Sequence, residues 1–209
     1  MNHSKCKTTA RFEATSAFNF PDAEESYKTS VSLTSTGLID TWFDGFRTTY
    51  TPYQAHQIAA GLLRAVMNLR LSLTNAYDRN SVKVYDTIGF WTQLIMPHLT
   101  TPQVGVDKIH CQGDGADFLA TGSLRDPDPV VHFSDEAQAI YDLTIRPYEN
   151  SIMLQFGWVS WMLSPSEAKW FADQLWTAAF LAAKMPPPLS LRMMTKDQPR
   201  FAEHNLPVH

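Results

Sequence analysis

Apolar residues recur every three or four positions along two long stretches of the chain. In the first, Ala55, Ile58, Ala59, Leu62, Ala65, Val66 and Leu69 form a stripe, with Gln54, Gln57, Gly61, Arg64 and Asn68 on the other side. In the second, Ala168, Phe171, Ala172, Leu175, Ala178 and Ala179 form the stripe, widened by Trp176 and Phe180. This is the helical period. Each stretch opens on matching punctuation, Thr51-Pro52 and Ser164-Pro165. The hydroxyl caps an orphan backbone N–H, and proline at the first helical position loses no bond it would otherwise make. Glu167 completes a Ser-x-x-Glu capping box, and Gln54 is its amide counterpart after Thr51. The first helix is predicted from Pro52 to about Thr74. The second is predicted from Pro165 to about Lys184, where Pro186, Pro187 and Pro188 stop it.

Upstream of each helix the pattern reads as a hairpin. Tyr27–Leu33 leads through Thr34-Ser35-Thr36-Gly37 into a return strand at Leu38–Thr48. Ile140–Arg146 leads through Pro147-Tyr148-Glu149-Asn150 into a return strand at Ser151–Leu163. Superposing the two caps gives an offset of 113 residues, at which Ala55, Ala59, Leu62 and Ala65 fall on Ala168, Ala172, Leu175 and Ala178. The expected fold class is therefore α+β: one continuous antiparallel sheet from two ββα units, residues 27–76 and 138–185, with both helices on one face and an internal duplication as its origin. A connecting segment, 80–135, completes a single domain over 23–188, between tails at 1–22 and 189–209. Within it, Val84, Ile88, Trp91 and Ile95 fit one helix face, a strand over Val82–Ile88 fits nearly as well, and residues 100–129 are expected to form a long ordered loop.

The return strands look apolar on both faces. Ile152, Leu154, Phe156, Trp158 and Met162 share one parity, and Met153, Val159, Trp161 and Leu163 share the other. A half-solvated strand alternates instead. Charged residues make up only 18% of the chain and aromatic residues 12%, so apolar surface has to be covered by something. The leading expectation is a non-enzymatic protein-interaction module. It would self-associate as a homodimer or meet another protein through Trp42, Phe46, Trp158 and Trp161, and act as an accessory or inhibitory protein in a larger assembly.

Two other readings stay open. A net charge of −4 argues against nucleic acid, although a binder could use Arg64 and Arg70, which share one predicted helix, together with the strand aromatics, to which only Arg47 is close. An enzyme of unfamiliar type would use the 107–128 loop, with His110, Cys111 or Asp114 acting. Against it, neighbouring residues on a strand point opposite ways. Asp107, Asp114, Asp117, Asp126 and Asp128 do not have calcium-loop spacing, and the histidines and cysteines make no zinc pair, so neither metal nor cofactor is expected. Glycine-rich nucleotide loops and nucleophile elbows are absent from the sequence. His56 reads as a surface or boundary residue. Two cysteines, Cys6 and Cys111, suit reduced thiols in the cytoplasm. With no apolar run after Lys5, Lys7 and Arg11 and no stretch of 18 apolar residues, neither a signal peptide nor a membrane span is expected.

Overall fold

The computed structural model describes residues 12–19, 25–43, 45–74, 79–99, 108–127 and 140–184. They form two antiparallel meanders and three helices. The first sheet runs β1 (Phe12–Asn19), β2 (Ser26–Leu33), β3 (Ile39–Phe43) and β4 (Phe46–Tyr50), paired in chain order. Helix α1 (Pro52–Thr74) and helix α2 (Arg79–Ile95) follow. The second sheet runs β5 (Ile109–Gln112), β6 (Leu119–Arg125), β7 (Ile140–Tyr148), β8 (Ser151–Phe156) and β9 (Val159–Leu163), again in chain order, and α3 (Pro165–Ala183) closes the fold.

The α+β class holds, but there are two sheets rather than one. The reason lies in the return strands. Each is broken by a tight hairpin, so that Phe43 pairs with Phe46 and Phe156 pairs with Val159. Gly45 and Gly157 sit at φ of 86° and 56°, backbone that residues with a Cβ rarely adopt. A two-residue connection also inverts side-chain parity. Ile152, Leu154 and Phe156 face the core from β8, and Val159, Trp161 and Leu163 face it from β9. Read as one strand, 151–163 sums both parities and looks apolar on two sides. Folded, it has one apolar face. The outer face of the second sheet carries a polar row in register: His110, Thr121, Thr144, Gln155 and Ser160.

Two further expectations change. Residues 12–19, placed in the N-terminal tail, form edge strand β1, with Phe18 buried against Tyr27 and Phe43. The expected loop at 100–129 contains β5, a 3-10 turn at Gly115–Asp117 and β6. The 113-residue offset carries β4 onto β9 and the start of α1 onto the start of α3. Common descent of the two units stays a proposal. The 189–209 tail and Cys6 lie outside the described residues.

The capping box at Ser164 is formed: its Oγ accepts from the Glu167 N–H, and the Glu167 carboxylate accepts from the Ser164 N–H at 2.7 Å. The amide version at Thr51 is formed as well, with Gln54 Oε1 accepting from the Thr51 N–H at 2.8 Å. Each helix then packs on the other unit's sheet. Helix α1 lies mainly against β5–β8 and along α3, and α3 lies mainly against β1–β3. The sheets meet where Trp161 stacks on Phe43, ring centres 4.7 Å apart, and meets Phe46 at a tilt with ring centres 5.0 Å apart. Phe171 of α3 meets Phe43 edge-on at 4.8 Å. Helix α2 covers the outside of the helix pair, with Trp91 stacked on Trp176 at 5.8 Å. No helix among the described residues is long and apolar enough to cross a membrane.

Candidate functional site

The hairpins sort the four expected interface aromatics into different places. Trp161 is a core residue, 9% exposed, enclosed by Phe43, Phe46 and Phe156. Phe46 is half-buried beneath it. Parity explains both: they stand on the inner faces of β9 and β4. Trp42, on the outer face of β3 opposite Arg47, is 44% exposed. Trp158 occupies the tip of the β8–β9 hairpin and is 91% exposed.

The turn that carries Trp158 is braced. The Gly157 N–H donates to the Asp142 carbonyl on β7 at 2.7 Å. The Gln155 side-chain amide donates to the Gly157 carbonyl, also at 2.7 Å. Strand β7 runs past the end of β8 here, and it leaves Ile140 and Tyr141 exposed at the same end of the sheet. Tyr141 also lines a cleft of about 100 Å³ between the sheets, whose apolar walls are Phe46, Tyr50, Leu124 and Phe156. Arg47, Thr48, Thr49, Arg125 and Asp126 complete the lining. Arg47 is held by Asp40 at 2.6 Å.

Hydroxyl groups line the floor of this cleft. Thr48 Oγ1 donates to the Tyr50 phenol oxygen at 2.6 Å and lies 2.6 Å from Thr41 Oγ1. Burial pushes the Tyr50 phenol well above its ordinary pKa, against the lowering effect of its threonine hydrogen bonds. Burial, with the charge of Asp126, raises Tyr141 as well. Both phenols are therefore neutral hydrogen-bonding groups rather than nucleophiles.

The residues of the expected catalytic loop separate. His110 pairs with Thr121 on the outer face of the second sheet, Asp114 is exposed in the turn, and Cys111 points the other way. Cys111 instead joins His56 and Arg64 in a cavity of about 150 Å³ between α1, α2 and β5. Arg70, six residues beyond Arg64, is exposed and about 120° further round the helix, so the two do not share a face. Among the described residues no group of three His, Cys, Asp or Glu could hold a metal. Asp107 and Asp128 lie outside those residues.

His56 is a buried residue, 2% exposed, not a surface one, and burial lowers its pKa to about 4. The signal for this was present in α1 itself. Tyr53, Leu63 and Met67 flank the main stripe, so the helix is apolar nearly all round, and such a helix lies at the centre of a fold. Its polar residues are then buried too. Gln54 donates to the Arg125 carbonyl at 2.6 Å, and Asn68 accepts from the Gly115 N–H at 2.9 Å.

Comparison with protein-family models, curated proteins and solved structures finds no match to this chain. The functional reading therefore rests on geometry alone.

Proposed function

We propose that the chain is a non-enzymatic protein-interaction module that associates with itself or with another protein, through Trp158 and the aromatic end of the second sheet. The observation that supports this is the 91% exposure of Trp158 on a turn fixed by two hydrogen bonds. A large apolar side chain displayed in water on a fixed turn gains nothing for the isolated fold. Against a partner it is an anchor whose backbone is already ordered. Trp42 is a second exposed aromatic on the other sheet. An accessory or inhibitory role inside a larger cytoplasmic assembly fits a surface of this kind.

Light scattering across a concentration series tests the self-associating form. The wild-type chain is expected to form a dimer or larger species, and Trp158→Ala to be monomeric with unchanged thermal melting. The difference in tryptophan emission between the wild type and Trp158→Ala, which isolates Trp158 among the six tryptophans, should shift to shorter wavelength as the assembly forms. A wild-type chain that stays monomeric at every concentration removes the homodimer. If pull-downs with the wild type also retain nothing that Trp158→Ala fails to retain, the interaction reading goes with it.

A further inference from the structure

The cavity between α1, α2 and β5 has features that the interaction reading does not use. His56 enters it from the second turn of α1 with an incompletely satisfied imidazole. Thr92 Oγ1 lies a long 3.4 Å from Nε2, and Nδ1 has no hydrogen-bond partner. A buried polar atom left in this state is costly, and such atoms are normally met by water or by a ligand. Because burial holds the ring neutral, one nitrogen donates and the other accepts.

Arg64 stands two turns further along the same helix and lines the same cavity, half-buried. No carboxylate among the described residues pairs with it. Between them Ala60 and Gly61 line the same space, and Ala60 puts only a methyl group on it. Gln57 offers an amide, and the remaining walls are uncharged, with the Cys111 thiol on β5 opposite the helix. The cavity is thus a short slot with a cation at one end and a neutral hydrogen-bonding ring at the other.

We propose that this slot binds a small organic monocarboxylate, its charge on Arg64 and its far end hydrogen-bonded to His56. A carboxylate matches the planar guanidinium fork, and one negative charge balances the one cation present. A phosphate dianion would keep a charge unmatched in a partly desolvated space. The proposal stands independently of Trp158, since the cavity lies on the α1–α2 side of the second sheet.

The test is an NMR titration of the full chain with 4-hydroxybenzoate, whose far end carries a hydrogen-bonding hydroxyl, with benzoate, which lacks it, and with inorganic phosphate, following the His56 ring signals. The alkylation rate of Cys111 by iodoacetamide is measured on its own peptide in parallel. A carboxylate is expected to shift His56 saturably and to slow Cys111 alkylation. Arg64→Gln should weaken binding about 10- to 100-fold, the range for losing a charge-assisted hydrogen bond, with melting unchanged. Ala60→Leu, which fills the slot and keeps the charge, should also remove binding. The proposal is overturned by phosphate binding in preference to both carboxylates, by equal affinity in wild type and Arg64→Gln, or by no saturable shift with any of the three.

Discussion

Two tryptophans three residues apart should respond to truncation in opposite ways. Trp161 is 9% exposed and touches three aromatic rings at 4.7 to 6.0 Å, at the junction of the two sheets. Trp161→Ala removes that burial and leaves a void that the surrounding strands and α3 cannot fill. A cost of about 3–5 kcal/mol is expected. For a domain whose whole stability is about 5–15 kcal/mol, that is close to loss of the fold. Trp158 is 91% exposed, and its change to alanine removes almost no buried area, so an effect within about 0.5 kcal/mol is expected. Urea unfolding followed by far-ultraviolet circular dichroism, at low protein concentration so that association does not contribute, separates the two. Equal losses, or a Trp161→Ala cost below about 1 kcal/mol, would refute the assignment of the two faces of the β8–β9 hairpin that the parity argument makes.

Acid should destabilise the protein through His56. Its folded pKa of about 4 lies below the ordinary 6.5, so the unfolded chain binds the proton first and stability falls as pH drops from about 6.5 to 4. The full effect is about 3 kcal/mol, and denaturant titrations at pH 7 and pH 4.5 in wild type and His56→Gln would reveal it as a steeper loss in the wild type. At Gly61 an added methyl group would lie 3.1 Å from Ile145 Cδ1 and 3.7 Å from Ala120 Cβ, with only the end of a flexible side chain in the way. Gly61→Ala should therefore change stability by less than about 1 kcal/mol, helix propensity offsetting the tight contact, whereas Gly61→Leu should cost about 1–3 kcal/mol in thermal or chemical denaturation.

The helices were legible in the sequence because their signals are local. Thr51-Pro52 and Ser164-Pro165 fix the starts of α1 and α3, and the capping partners Gln54 and Glu167 make the contacts their spacing implies. The two sheets were not legible, for a reason that turns on two residues. Gly45 and Gly157 each end a strand in mid-run, and the Asp-Gly pair at 44–45 is a hairpin signal easily lost inside a long apolar stretch. Missing those turns merged two parities into one strand, made both of its faces look apolar, and grouped the core residue Trp161 with the exposed Trp158 in one expected interface. The cavity was hidden for a different reason. His56, Arg64 and Cys111 converge only because α1 lies on the second sheet, and no local pattern states which sheet a helix will cover.

That arrangement also bears on how the chain reaches its fold. The first sheet is completed by residue 50, but the helix that covers its inner face begins at residue 165. During synthesis, Val31, Leu33, Ile39 and Phe43 must wait without their cover until more than half of the chain has been made. Neither unit can serve as a finished template for the other, so the two must condense together through contacts distant in sequence. Such topologies close slowly and keep adhesive intermediates alive for longer. The half-made protein is thus the form most in need of protection.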